Sequence, residues 1–226
     1  MSGGRASGAL RAALRLLYPT RAVCMGCGTL SGFERDWLCE KCRQQLAQRW
    51  VGAFHPPSEG LFDGAAFAYY YGGPAGGLVR NLKYRGVYQL AEMMGRHMAE
   101  AFEALGHVRV DGVVPVPMHP RRVRMRGYNH AELLAGEVAG RLNLPLLKAL
   151  SRSRNTRQQA RLSDAQRQGN LNRAFELRME VAGMRLLLVD DVCTTWTTAN
   201  ACAKVLSEGG ASELELLCFA VSRSGN

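Results

Sequence analysis

Two adjacent carboxylates follow the most apolar run of the sequence. Residues 186–189 are Leu-Leu-Leu-Val, and Asp190 and Asp191 come directly after them. Such a run predicts a buried strand that delivers both carboxylates to the edge of a sheet. Carboxylates there can accept hydrogen bonds from sugar hydroxyls or hold a hydrated Mg²⁺. Because acids are costly to bury without a partner, the pair favours a ligand site over a strand and capped helix with no ligand.

A hydroxyl-rich loop follows the aspartates and leads into a helix predicted over residues 197–209. The loop consists of Thr194, Thr195, Trp196, Thr197 and Thr198. The first N–H groups of a helix have no partner within the helix and carry the positive end of its dipole, so they attract an anion. Together with the aspartates, the loop predicts a site for a phosphorylated sugar, with the phosphate at the loop and the sugar at the carboxylates.

Four of the seven cysteines form two CxxC pairs near the N-terminus, Cys24 with Cys27 and Cys39 with Cys42. Four thiolates at these spacings can complete the tetrahedral shell of a structural zinc ion, a closed site without catalysis. Both glycines of the segment 24–28 are expected to supply unusual backbone angles. The clustering favours metal binding in a reducing compartment over disulfides. Free thiols or a redox pair are the open alternatives.

The net charge of +10 is concentrated in one part of the chain. Residues 109–173 contain 13 Lys or Arg against 4 Asp or Glu. This concentration implies an anionic partner, which could be the phosphates of a small ligand, nucleic acid, or both. The segment 121–126 holds four arginines on a predicted loop after a strand, where guanidinium groups suit phosphates. A solvated arginine-rich loop is the alternative.

Apolar segments alternate with helix-periodic segments from residue 65 to residue 221. Strands are predicted at 65–71, 111–116, 185–189 and 214–221, and helices at 74–84, 89–105, 129–142, 163–171 and 197–209. This alternation predicts an α/β fold, a mostly parallel sheet with helices on both faces and its ligands at the carboxyl ends of the strands. Residues 1–21 predict a basic amphipathic helix, and residues 50–60 predict a linker. The predicted domains are a four-cysteine zinc module at 1–50 and the α/β domain at 60–226.

The aspartate–threonine segment resembles the fingerprint of type I phosphoribosyltransferases. In that family two acids at the end of an apolar strand precede a Thr-Thr-Gly-x-Thr loop. The resemblance implies a phosphoribosyltransferase-like fold, with Asp190 and Asp191 facing the ribose of phosphoribosyl pyrophosphate and the loop 194–198 around its 5′-phosphate. Trp196 stands where the family has glycine, which lets the backbone approach a phosphate closely. We therefore expect the indole to fill the phosphate space or to force the loop into another shape.

Further motifs resemble the ComF/GntX family of competence-associated proteins over nearly the whole chain. They are LLYP at 16–19, LKYRG at 82–86, a Pro-x-Pro at 115–117 that leads to Arg-x-Arg-Gly-Tyr-Asn, and NTRQQ at 155–159. The resemblance implies a protein of natural transformation that receives single-stranded DNA and works with a helicase-type ATPase. It places Arg121, Arg122 and Arg126 in a pyrophosphate region, and Lys83 and Arg85 on a hood over the site.

Two functions of different class are consistent with these features. The first is a nucleic-acid-binding protein of DNA uptake that also binds a sugar phosphate. The second is a Mg²⁺-dependent phosphoribosyltransferase of nucleotide metabolism, in which the arginines stabilise the departing pyrophosphate. Trp196 favours the first function, and the aspartates keep the second open. No apolar run is long enough to cross a bilayer, and the cytoplasm is the expected location. His119 and His130 are expected to be polar groups of a loop and a helix start.

Overall fold

The computed structural model describes residues 23–30, 37–54, 60–106, 108–152 and 174–223. These residues form six helices: α1 (Glu40–Ala47), α2 (Gly73–Tyr84), α3 (Leu90–Glu103), α4 (Pro120–Arg126), α5 (His130–Leu142) and α6 (Thr197–Glu208). They also form seven strands: β1 (Trp50–Phe54), β2 (Gly64–Tyr70), β3 (Gly112–Pro115), β4 (Leu150–Arg152), β5 (Phe175–Leu177), β6 (Arg185–Cys193) and β7 (Glu213–Val221). The predicted helices at 1–21 and 163–171, and the motifs at 16–19 and 155–159, lie outside the described residues.

The main sheet has five strands in the order β1-β2-β7-β6-β3. Strands β2, β7, β6 and β3 are parallel, and β1 is antiparallel to β2. The central strands β6 and β7 are apolar on both sides because helices cover both faces of a parallel sheet. Strand β6 runs past the predicted end at residue 189 and carries both aspartates, because β7 stays paired with it as far as Cys193.

Helices cover both faces of this sheet. Helices α2, α3 and α5 pack on one face, and the cysteine module with α1 rests on α2. Helix α6 and the antiparallel pair β4–β5 pack on the other face. The prediction of a mostly parallel α/β sheet is confirmed, with the four cysteines gathered in a small N-terminal unit.

Two sequence-based assignments were wrong. Residues 50–54 of the predicted linker form β1, which pairs with β2 and so extends the sheet. The predicted arginine loop contains helix α4, which begins with Pro120 and is capped by the His119 side chain, whose Nδ1 accepts a hydrogen bond of 3.2 Å from the Arg121 N–H. Gly127 ends α4 in a left-handed conformation at φ 86°, and the chain then turns into α5.

Candidate functional site

The two aspartates at the end of β6 have different surroundings. Asp191 is buried, with its Oδ2 2.6 Å from Lys83 Nζ at the end of α2 and its Oδ1 3.5 Å from His130 Nε2 at the start of α5. Asp190 is half-buried, and its Oδ1 accepts a hydrogen bond of 2.8 Å from the Asp191 N–H. Because successive side chains of a strand point to opposite faces, Asp191 meets the helices of one face while Asp190 lies towards the other.

These surroundings shift the pKa values of the two carboxyl groups in opposite directions. Burial and the neighbouring charge of Asp191 raise the pKa of Asp190 to about 8. Burial would also raise the pKa of Asp191, but the hydrogen bond from His130 and the positive charge of Lys83 outweigh it and hold that pKa below its usual range. At neutral pH the pair therefore shares one proton, which resides mainly on Asp190.

His130 contacts both Asp191 and Arg126, the last residue of helix α4, a role that the sequence analysis missed. The Arg126 Nη1 lies 2.7 Å from His130 Nδ1. A guanidinium has no acceptor atom, so Nδ1 accepts this hydrogen bond and the ring proton resides on Nε2, which faces Asp191. Asn129 caps the helix through a hydrogen bond of 3.2 Å from the Ala131 N–H to its Oδ1. The available signal was a histidine directly after a capping Asn, in the turn between α4 and α5.

A cleft of about 390 Å³ opens over the aspartates. It brings together seven of the twelve residues predicted at the aspartates, the threonine loop and the basic segments with several that the sequence did not single out. Its charged and hydroxyl-bearing lining comprises Tyr71, Arg80, Lys83, Tyr84, Arg122, Arg126, Arg152, Asp190, Asp191, Thr194 and Thr198. Cationic groups, hydroxyl groups and carboxylates thus line one cleft, which can hold a polyanion bearing a diol.

A second, more open groove of about 790 Å³ adjoins this cleft on the side of α4. Its lining comprises Lys83, Tyr84, Arg121, Arg122, Arg124, Met125 and Arg126. We call this surface the basic groove. The side chains of Tyr84 and Met125 are 65% and 88% exposed, and the guanidinium of Arg126 lies 5.2 Å from the centre of the Tyr84 ring. Cations beside exposed flat or apolar side chains suit a strand of stacked bases.

The threonine loop has the strand–loop–helix geometry that was predicted. Thr194 and Thr198 line the cleft, whereas the Thr195 and Thr197 hydroxyls lie 2.9 Å apart and bond to each other. A small cavity of about 50 Å³ lies inside the loop.

The indole of Trp196 packs against the core. Its backbone adopts the left-handed conformation that glycine favours, with φ 59°. Its ring lies 5.8 to 6.2 Å, centre to centre, from the rings of Phe54, Phe62 and Phe67. The two outcomes expected for this indole, obstruction of the phosphate space or a reshaped loop, stay predictions beside these aromatic contacts.

The four N-terminal cysteines form a cluster that could hold a metal ion. Their sulfur atoms all lie within 4.8 Å of one another, and Cys27 Sγ is 3.9 Å from Cys39 Sγ. A zinc tetrahedron with Zn–S bonds of about 2.3 Å has edges of about 3.8 Å, so the sulfur positions fit that ion. The Cys39 N–H points at Cys24 Sγ from 3.3 Å, a contact that supports a thiolate. The residues therefore fit a structural zinc with all four positions filled by protein.

The remaining predicted residues divide into two groups. Arg121 lines the basic groove but not the cleft, and Arg85 is exposed and lines neither. Lys83 lines both the cleft and the basic groove. His130, Asp190 and Asp191 are close enough to share a cation, but Lys83 and His130 already face the two oxygens of Asp191. The arrangement therefore does not fit a Mg²⁺ held directly by both aspartates.

Comparison of the sequence with curated proteins finds related chains. The DNA utilization protein YhgH of Salmonella typhimurium is 32% identical over 154 residues, which cover 66% of this chain and 68% of that protein. The chain belongs to the ComF family. The YhgH protein of Escherichia coli is 29% identical over 204 residues, covering 88% of this ComF-family chain and 84% of the relative. Competence protein F of Haemophilus influenzae is 36% identical over 110 residues, covering 47% and 48%. No protein-family model matches the chain.

Solved structures with weak similarity to this ComF-family chain are phosphoribosyl enzymes. A glutamine phosphoribosylpyrophosphate amidotransferase from B. subtilis has a TM-score of 0.41 and 23% identity, covering 57% of this chain and 26% of that one. A purine phosphoribosyltransferase from Pyrococcus horikoshii has a TM-score of 0.38 and 14% identity, covering 70% and 77%. Among the described residues, no helix combines the length and apolar character needed to cross a bilayer.

Proposed function

We propose that this ComF-family protein takes part in DNA utilization by binding single-stranded nucleic acid along the basic groove and a phosphorylated ribose in the adjoining cleft. The single observation that carries the proposal is the continuity of the two surfaces. Lys83, Tyr84, Arg122 and Arg126 line both of them. A single strand of nucleic acid whose phosphates lie along the arginines would therefore present its nearest sugar phosphate to the aspartates. The relatives named for DNA utilization and competence support a nucleic acid as the polyanion.

The basic groove supplies both components of sequence-tolerant binding. Four arginines lie on or beside its floor and can neutralise phosphates, and the exposed Tyr84 ring offers a stacking face. Each neutralised phosphate releases condensed counterions, which makes affinity fall with salt by a slope of about −0.7 per contact for single strands. Base stacking on an aromatic ring contributes about 1–3 kcal/mol by alanine substitution and tolerates any base.

The salt dependence of DNA binding tests this proposal. Replacing Arg121, Arg122 and Arg124 with alanine should make the negative slope of log affinity against log salt shallower by roughly 2 in filter-binding measurements. The matched control removes three positive charges elsewhere, with Arg109, Arg141 and Lys204 replaced by alanine. We expect the control to keep the wild-type slope. Equal slopes for the groove variant and the wild type would show that DNA does not follow the arginines.

Phosphoribosyl transfer is the second candidate function, favoured by the aspartate pair and the loop cavity at the end of β6. In such a reaction the bond from C1 of the ribose to pyrophosphate breaks, and a bond from C1 to an acceptor nitrogen forms as that nitrogen loses its proton. Arg122 and Arg126 would stabilise the departing pyrophosphate, and Asp190 would hold a ribose hydroxyl. Mg²⁺ would accompany the pyrophosphate of the substrate and supply further charge neutralisation.

Pyrophosphate release tests this second function separately from DNA binding. Protein incubated with phosphoribosyl pyrophosphate, Mg²⁺ and each common nucleobase should release pyrophosphate faster than the same mixture with the variant Asp190→Ala. A wild-type rate equal to that of Asp190→Ala with every base would remove the enzymatic function and leave binding. The partnership with a helicase-type ATPase and the cytoplasmic location stay predictions from the sequence resemblance.

A further inference from the structure

Residues 24–28, which contain Cys24 and Cys27, form a tight turn that we call the cysteine knuckle. The knuckle lies directly on the backbone of helix α2. A Cβ atom added to Gly77 of α2 would lie 2.1 Å from the carbonyl oxygen of Gly26, and one added to Gly26 would lie 3.0 Å from Cys42 Sγ and 3.1 Å from Pro74 Cβ. Gly26 and Gly77 therefore permit a close approach of two backbones. Gly28 has a left-handed φ of 79°, but Gly26 does not, so the two knuckle glycines have different roles.

One buried polar side chain fixes the register of this contact. Asn81 is 8% exposed, and its Nδ2 donates hydrogen bonds to the carbonyl oxygens of Met25 (2.8 Å) and Gly77 (3.0 Å). Gly77 and Asn81 are four residues apart and so share one face of the helix. A buried amide with both donor hydrogens used resists sliding or rotation, because either movement would leave it unsatisfied.

The last turn of helix α2 carries Lys83, whose ammonium group reaches Asp191. Lys83 follows Asn81 by two residues, a rise of about 3 Å along the helix, and its Nζ lies 2.6 Å from Asp191 Oδ2. Tyr128, which lies between α4 and α5, donates a hydrogen bond from its hydroxyl group to the carbonyl oxygen of Leu82. The end of α2 is thus held by the cysteine knuckle on one side and by the candidate site on the other.

We propose that the cysteine module is a positioning device for Lys83, in which the closed four-thiolate cluster fixes the last turn of α2 through Gly77 and Asn81. In the positioned state Lys83 neutralises Asp191 and lies where both clefts meet. Small four-thiolate modules fold only with their metal bound, so removal of the metal would release the knuckle from α2. Lys83 would then leave Asp191, and the charge at the centre of the site would change. Asn81 acts through the helix and is a positioning residue.

The reactivity of Lys83 in the full-length protein tests this coupling without any assumption about the ligand. Brief acylation with an N-hydroxysuccinimide ester followed by peptide mass spectrometry gives a rate for each lysine. Lys204, which is exposed on α6, serves as the internal reference. We expect Gly77→Ala to raise the acylation rate of Lys83 roughly fivefold relative to Lys204, because the added methyl separates the knuckle from the helix.

The matched control is Gly140→Ala, a helical glycine of α5 whose added Cβ would meet nothing within 4 Å. This control should leave the rate for Lys83 unchanged. Extraction of the metal from the wild-type protein by a chelator should raise the rate as Gly77→Ala does, with the bound zinc measured in every sample. If Gly77→Ala does not fold, Asn81→Ala takes its place, with the same expected direction.

Three results would overturn the proposal. They are an unchanged rate for Lys83 in a folded Gly77→Ala or Asn81→Ala protein, an unchanged rate after complete removal of zinc, and wild-type protein that carries no metal at all. Failure of the proposed function would be seen separately, as equal salt slopes of DNA binding for the groove variant and the wild type while the lysine rates follow the metal.

Discussion

Trp196 combines a left-handed backbone with an indole packed among three phenylalanine rings. A residue with a Cβ pays about 1–2 kcal/mol for that backbone conformation. The aromatic contacts offset this cost, since a half-buried indole stabilises by a comparable or larger amount. The tryptophan therefore fixes the threonine loop to the core by its side chain, whereas glycine would leave the loop attached by its backbone alone.

Substitution of this residue should affect stability more than phosphate binding. We expect Trp196→Gly to lower the free energy of unfolding by about 1–2 kcal/mol, because the lost aromatic burial exceeds the relieved strain. Urea denaturation measures this loss, and Trp196→Phe should show a smaller one. Calorimetric titration with inorganic phosphate should show no tightening for Trp196→Gly. A clear gain in phosphate affinity would mean that the indole obstructs the loop after all.

Asp190 should make sugar binding depend on pH. Its pKa is raised to about 8 by burial and by the charge of Asp191, so the carboxyl group is mostly protonated at pH 7 and mostly ionised at pH 9. The ionised form accepts a hydroxyl hydrogen bond better, and affinity for ribose 5-phosphate should rise roughly tenfold over that interval. Calorimetry on the wild type and on Asp190→Asn measures the effect. An equal rise in the asparagine variant would assign it to another group.

The sequence located the aspartates and Lys83 but not His130. Asp190 and Asp191 were found because two acids after an apolar run are unusual, and Lys83 was found through the resemblance of its segment. His130 was missed because its partners, Arg126 and Asp191, come together only when α5 packs beside β6. Side chains that meet across elements leave no local pattern in one sequence.

At the scale of elements, helix and strand types were largely predictable, while ends and short elements were not. The periodicity around Val138 predicts α5 well, because one face of the helix is buried. Strand β1 was assigned to a linker because Pro56 and Pro57 suggest irregular structure, although pairing with β2 overrides that preference at residues 50–54. Helix α4 was assigned to a loop because seven residues without a buried face show no periodicity.

Strand β7 carries a buried acid whose removal should stabilise the protein. Glu215 is 5% exposed, and its Oε2 has no hydrogen-bond partner among the described residues. Burial, together with the charges of Asp63 and Glu213, raises the pKa of Glu215 to about 7. This folded-state pKa exceeds the unfolded value, so ionisation lowers stability as pH rises from about 4.5 to 7, and the loss is complete above that window.

Glu215→Gln should therefore raise the free energy of unfolding at pH 8 by about 2 kcal/mol and much less at pH 5. Urea denaturation at the two pH values measures both effects. The exposed Glu100 provides the control, and Glu100→Gln should change neither value. A gain that is equal at pH 5 and pH 8 would show that the proton of Glu215 is not its cause.

At the scale of the molecule, the cysteine module is expected to depend on its metal. Protein expressed without a tag should contain one zinc ion per chain by elemental analysis, and a chelator should lower its melting temperature. Cys42→Ser should lose the ion. Cys193→Ser, which changes a buried thiol outside the cluster, should retain it. Equal zinc content in the two variants would end the assignment of the cluster.

Charge distribution was the most predictable whole-molecule property. The concentration of arginines at 121–126 predicted a positively charged surface, and the basic groove lies there, whereas the binding of an anion to it stays a prediction. The sequence did not predict that this groove adjoins the aspartate cleft, because their shared lining depends on where α2 ends relative to α4. Helix α2 packs against the cysteine module, and charge and periodicity do not encode such a contact.

The aromatic anchoring of the threonine loop also gives the protein an optical reporter. The chain has three tryptophans, and the other two lie in the cysteine module (Trp37) and on β1 (Trp50). Replacing those two with phenylalanine would leave one indole whose emission depends on the polarity and quenching groups around the loop. Binding of an anion at the loop could then be followed in real time by tryptophan fluorescence, without an added label.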